Sequence, residues 1–309
     1  MSRRTRRSPG PDPAPRPILR PALRPILRPA LRARPRRPRG ALVISLVMAA
    51  VALAYLYPLI LVVINSVKSF SEIMANVVAL PNRLRVENFA NAFSLMRYPN
   101  LFLNTLVVTC MGTAGVVLLS AMGGFKLSRT RTRYSWFVFL LCVAPMMIPF
   151  HSFMIALVKV SKTFHLTNSI WGLGVIYWGL GVPLSLFLYH GFAKTVPSEL
   201  DDCAAIDGCR PLRAFFQVMF PLLQPVTVSV IVINAMWMWN DFLLPLLVLS
   251  GAKKSLTLQL AAYNFFGQYK IEWQSAMAGV LLTITPAIVF YLILQRHIIK
   301  GMVAGAVKG

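Results

Sequence analysis

Six long apolar runs succeed one another along this chain, at roughly 41–64, 102–125, 135–158, 169–191, 226–249 and 275–294. Each is close to the ~20 residues that a helix needs to cross the hydrocarbon core of a bilayer. Of 309 residues, 57% are hydrophobic and only 13% charged, against about 25% charged in a soluble domain. That apolar mass has no single soluble core to enter, so the sequence dictates an all-α membrane protein with six transmembrane helices over 41–309. The same balance argues against soluble Rossmann and TIM-barrel enzymes. The first run contains Ala52-Leu53-Ala54, which resembles a signal-peptide cleavage site. Its apolar stretch continues to Ile64, too long for such a signal, and a retained anchor is expected.

The net charge of +23 is unevenly placed. Residues 1–40 hold 13 Arg against one acid, Asp12, and the segment Arg16–Leu23 repeats at once as Arg24–Leu31. Proline at every fourth position blocks a helix. A disordered Arg/Pro-rich cytoplasmic tail is expected, resting against anionic membrane lipid. No aromatic residue is interleaved with its arginines, so no specific nucleic acid partner is expected. With the N-terminus inside, Lys and Arg divide 23 to 9 between the inner and outer segments. By the positive-inside rule both termini are then cytoplasmic. Pro58, Pro145, Pro149, Pro183 and Pro245 fall inside the spans, where kinks suit a transport pathway.

The loop 192–225 differs from the others. It holds four of the nine acids, Glu199, Asp201, Asp202 and Asp207, and anionic lipid would repel it, so a protein partner fits better. Ser198 and Asp201 have the spacing of a capping box. Asp207-Gly208 reads as a helix stop, and Pro211 suits the first turn of a second helix ending near Pro221. The expectation is therefore a short helix, a glycine turn and another helix. No His or metal-ligand set accompanies the acids, so no catalytic and no metal residues are expected. His151, His165, His190 and His297 share no spacing, and Cys110, Cys142, Cys203 and Cys209 are taken as small packing residues.

This loop resembles the EAA signature of ABC-importer permeases, Glu-Ala-Ala followed by Asp-Gly and a Leu-Pro ending. Asp202-Cys203-Ala204 stands at the Glu-Ala-Ala positions, Asp207-Gly208 matches, and Phe220-Pro221 replaces Leu-Pro. Asp202 replaces Glu, Cys203 replaces the first Ala, and Ala205 stands where Arg is common. Trp239-Asn240-Asp241 through Leu249, Phe266-Gly267-Gln268-Tyr269 before Trp273, and the ending Gly301–Gly309 are similar to the maltose-type carbohydrate permeases. The resemblance covers roughly 41–309.

It implies the type I ABC importer permease fold, with 192–225 as the coupling loop against an ATPase. Glu199, Asp202, Cys203, Ala204, Asp207, Gly208 and Pro221 would serve that coupling. Trp237, Trp239, Asn240 and Asp241, near the outer end of the fifth span, are expected on the substrate pathway. Aromatic rings stack on sugar faces, and Asn and Asp match hydroxyls. A membrane carboxylate is otherwise costly, although an interfacial aromatic belt and a structural Asp–backbone bond would equally explain these four. Phe266, Gly267, Gln268 and Tyr269 are candidate contacts for a solute-binding protein.

The implied partners are a second homologous permease, a cytoplasmic ATPase dimer, an extracytoplasmic solute-binding protein and a sugar. The place is the bacterial cytoplasmic membrane. The chain lacks a Gly-x-x-x-x-Gly-Lys-Ser/Thr loop, so no cofactor is expected in it, ATP and Mg belonging to the partner ATPase. The alternatives are a stand-alone secondary transporter, for which Asp241 alone would supply the coupling charge, and a membrane-embedded enzyme.

Overall fold

The computed structural model describes residues 39–252, 255–264 and 273–306. No strand occurs among them. The helices in chain order are α1 (Arg39–Ser66), α2 (Phe70–Ala75), α3 (Glu87–Met96), α4 (Tyr98–Arg129), α5 (Arg133–Val143), α6 (Phe150–Thr163) and α7 (Ile170–Ala193). Then come α8 (Glu199–Ile206), α9 (Pro211–Ala214), α10 (Phe220–Leu222), α11 (Gln224–Asn240), α12 (Leu243–Leu249), α13 (Leu258–Asn264) and α14 (Trp273–Ala306). The chain divides into two compact units, residues 1–56 and Tyr57–Gly309. The described part of the first is the start of α1, which exposes Val43, Leu46, Val47 and Leu53 alike. A helix apolar all round is suited to lipid.

Among the described residues, four continuous helices are long and apolar enough to cross a membrane: Val43–Ser66, Tyr98–Arg129, Ile170–Ala193 and Trp273–Ile293. Two further candidates are bent pairs. Arg133–Met147 meets Phe150–Thr163 at 109°, and Pro211–Leu222 meets Gln224–Asn240 at 80°. The expected span 135–158, in which Pro145 and Pro149 suggested kinks, is thus two segments. Pro145 lies in a 3₁₀ turn, Ala144–Met147, and Pro149 precedes α6 in extended geometry, so neither proline lets the α5 ladder continue. The expected run 226–249 is also interrupted, because α11 stops at Asn240 and α12 starts at Leu243.

The core of the second unit is α4 packed along α7, with α11 across them. Val108, Val116, Leu173, Tyr177, Val230 and Met238 are all buried there. Small residues allow the close approach. A Cβ on Gly124 would lie 2.8 Å from the Cβ of Tyr189 and 3.0 Å from the backbone of His190. Gly115 leaves room for the Trp178 ring, whose Nε1 donates to the Met111 carbonyl at 3.0 Å. Polar pairs join α7 to α11: the Tyr189 hydroxyl donates to Thr227 Oγ1 and Asn234 Nδ2 to Ser185 Oγ, both at 2.9 Å. Without a hydrophobic drive between helices in lipid, such small-residue seams and hydrogen bonds hold them together.

Between α1 and α4 the chain is closed by polar side chains. Lys68 is buried and donates to the carbonyls of Asn76 at 3.0 Å and Val77 at 3.2 Å. Asn88 Nδ2 donates to the carbonyls of Ser66 and Lys68. Ser69 and Glu72 form a complete capping box at the start of α2. Glu72 also accepts from Asn82 N–H at 3.0 Å.

Candidate functional site: the acidic loop after α7 and the broken fifth helix

The loop after α7 folds as a short helix, a turn and a second helical segment. At the end of α8 the N–H of Gly208 donates to Ala205 O and the N–H of Cys209 to Ala204 O, both at 3.0 Å. This pair of bonds is the Schellman motif, which needs a left-handed residue after the cap. Gly208 supplies it, with φ +73°. Pro211 then opens α9 in its first turn. A single π turn, Phe215–Met219, carries the chain into α10, with Pro221 at its start. Phe215 is buried against Phe125 of α4, the ring centroids 5.5 Å apart.

On α8 one small residue faces inward. Ala204 is 5% exposed, whereas Glu199, Asp202, Cys203, Asp207 and Gly208 are exposed. Ile206 is 84% exposed. The exposed face of α8 thus combines one bare apolar side chain with three carboxylates, those of Glu199, Asp202 and Asp207. Sequence reading passed over Ile206 because a lone isoleucine carries no motif.

The capping box expected at Ser198 and Asp201 does not form. Ser198 makes no side-chain cap, and its carbonyl, not its hydroxyl, accepts from Asp201 N–H at 2.9 Å. The Asp201 carboxylate turns to Arg129, the last residue of α4, with Oδ2 2.6 Å from Nε. Asp is one methylene shorter than the Glu of the box at Ser69, and a guanidinium is the stronger partner. Arg129 also donates to the carbonyls of Ala193 at 3.2 Å and Pro197 at 3.4 Å. Beside it a cleft of about 1130 Å³ opens, lined by Arg131, Arg133, His190 and Lys194.

The four fifth-span candidates separate. Trp237 and Asp241 line a cleft of about 320 Å³ with Pro145, Phe150, Phe153 and Pro183. Trp239 is buried with Met96, Leu101 and Leu258, and meets Phe102 edge-on at 5.7 Å. Two residues apart on a helix means about 200° apart, so the two indoles face opposite ways. Asn240 is exposed, and its Nδ2 donates to the Met236 carbonyl of its own helix.

Asp241 caps α12. Its Oδ1 accepts from Leu243 N–H at 3.1 Å and Leu244 N–H at 3.4 Å, and its Oδ2 accepts from the Tyr177 hydroxyl at 2.9 Å. The carboxylate therefore begins the second half of a broken span, as an N-cap should. It still lines the cleft with acceptor capacity to spare. Tyr177, Phe150 and Phe153 are additions to the site that sequence reading did not supply. Phe266, Gly267, Gln268 and Tyr269 lie outside the described residues.

The comparisons with known proteins agree with one another. Residues 115–304 match the family described as binding-protein-dependent transport system inner membrane component. The chain is 37% identical over 258 residues to the "Probable starch degradation products transport system permease protein AmyC" of Thermoanaerobacterium thermosulfurigenes, covering 83% of this chain and 93% of that protein. It is 34% identical to the multiple sugar-binding transport system permease protein MsmG of Streptococcus mutans, covering 82% and 92%. Its fold is similar to that in the crystal structure of a bacterial ABC transporter involved in the import of the acidic polysaccharide alginate. The TM-score is 0.73 at 18% identity, over 84% of this chain and 96% of that one. A family match over more than half the chain, joined to relatives aligned over almost their whole length, decides the matter: this chain belongs to the family of binding-protein-dependent transport system inner membrane components.

Proposed function

We propose that this chain is one permease subunit of an ATP-driven importer for a carbohydrate, with a second permease, an ATPase pair and an external solute-binding protein as its partners. The observation that carries the reading is the exposed α8, held in shape by the Gly208 turn and bare at Ile206 and Asp202. An acidic helix of this kind, on the face the positive-inside rule makes cytoplasmic, is suited to a pocket on an ATPase. Relatives named for starch degradation products and for multiple sugars support a carbohydrate substrate. In the cleft beside the broken fifth helix, Trp237 and Asp241 offer a ring face and an acceptor to a passing sugar.

Purification of the tagged full chain from membranes expressing its whole operon should bring down an ATPase. Uptake of labelled maltotriose, melibiose, raffinose or stachyose should stop on ATP depletion. Uptake that survives ATP depletion but collapses with the proton gradient would identify a secondary transporter instead.

A further inference from the structure

Arg129 occupies an unusual position. It is the terminal residue of a helix of 32 residues, α4, and its guanidinium reaches three points, one on the last residue of α7 and two on the segment that follows it. Two of these are carbonyls, of Ala193 at the end of α7 and of Pro197 in the linker. The third is the carboxylate of Asp201 in the first turn of α8. Its side chain is 19% exposed and that of Asp201 29%, and it lies over the Phe125 ring at 5.2 Å. Among the described residues this is the only ion pair that reaches α8.

The helices behind Arg129 are poorly deformable. α4 and α7 touch closely at Gly124, whose Cβ would strike the backbone of α7, and at Gly115 and Gly174, whose Cβ would strike the side chains of Trp178 and Met111, and close-packed interfaces shift between discrete arrangements and do not bend smoothly. At its far end the pair meets the broken fifth helix. Tyr177 of α7 donates to Asp241, and Phe102 of α4 packs on Trp239. A helix the length of α4 spans about 48 Å at 1.5 Å per residue.

We infer that Arg129 is a positioning residue that makes α8 and the α4–α7 pair move as one body, so that displacement of the coupling helix reaches the break at Asp241. This rests on the permease reading above, and the tie itself is readable in the chain alone. The planar fork of Arg, holding carboxylate and carbonyls together, is not reproduced by Lys or Gln.

The test places nitroxides on Ser198→Cys at the start of α8, whose side chain is exposed and makes no cap, and on Leu119→Cys of α4, with Cys110, Cys142, Cys203 and Cys209 replaced by Ala. In the chain alone, a narrow distance distribution is expected, broadened by Arg129→Gln and by the isosteric Asp201→Asn. Arg129→Lys, which keeps the charge and loses the fork, should narrow it only in part. In the complex, trapping with ATP and vanadate should leave the wild-type distance unchanged and shift it in the single variants. Equal distributions in all variants overturn the tie, and a wild-type distance that changes on trapping overturns the single-body movement. A wild-type chain that brings down no ATPase instead fails the permease reading, while the distributions in the chain alone still decide the tie.

Discussion

The Ser-x-x-acid signature occurs at both Ser69–Glu72 and Ser198–Asp201, and the chain completes the box only at the first. Side-chain length and a competing cation decide between them, and the sequence shows only the length. Nothing in the order of residues announces that Arg129 lies opposite Asp201, 72 positions away. The Glu72 carboxylate accepts from the Ser69 N–H, the Ser69 hydroxyl and the Asn82 N–H, which lower its pKa from the usual 4.5 to about 2. A depressed carboxylate contributes stability that is complete above its unfolded value and lost as pH falls towards the folded one. Protection of the Ser69 and Asn82 amides from hydrogen exchange should therefore persist at pH 5 and fall away between 4.5 and about 2. In Glu72→Gln that dependence should vanish.

Gly208 was legible from the sequence as a turn, and its φ of +73° bears this out. Nothing in this chain lies within 4 Å of a Cβ built there. The cost of substitution in the chain itself is backbone strain alone, about 1–2 kcal/mol for a β-branched residue. Gly208→Val should insert normally and lose ATPase co-purification, while Gly208→Asn, whose side chain tolerates the left-handed region, should keep most of it. Equal recovery of the ATPase with all three chains would show that the turn is not needed for docking.

At the scale of elements, the apolar runs gave the right places for helices but not their continuity. Hydropathy averaged over a whole span stays high across Pro145–Pro149 and, in spite of Asn240 and Asp241, across 226–249, so such a reading runs through both breaks. The breaks are set by missing proline donors at one and by a carboxylate cap at the other. Parity hid the second half of the site, since Trp237 and Trp239 look equivalent in a list and stand on opposite faces of α11. The α4–α7 seam yields a direct comparison. Gly124→Val would press on Tyr189 and the backbone of His190, and overpacking of this kind costs about 1–3 kcal/mol. Its melting temperature in detergent should fall. Gly191→Ala, with nothing within 4 Å, should melt at or slightly above the wild-type temperature, because alanine is the better helix former.

For the whole molecule, the basic bias implies that α8 and the segment 67–97 lie on opposite sides of the membrane. Cys203 is exposed on α8, and Val78 is 57% exposed in the segment between α2 and α3. A membrane-impermeant maleimide applied to intact cells should label Val78→Cys at once and Cys203 only after permeabilisation. Labelling of Cys203 from outside would invert the orientation and remove α8 from the ATPase side.

The segment from Asn65 to Asn88 also bears on how the protein is made. It contains no cysteine, and its closure comes from the Lys68 ammonium on two carbonyls, the Asn88 amide and the Glu72 cap. A loop fastened this way needs no thiol oxidase during biogenesis. It can lock within the time of chain emergence and not over the seconds to hours of disulfide exchange. It is equally indifferent to reducing agents, so this loop can close under anaerobic or thiol-rich conditions as readily as in air.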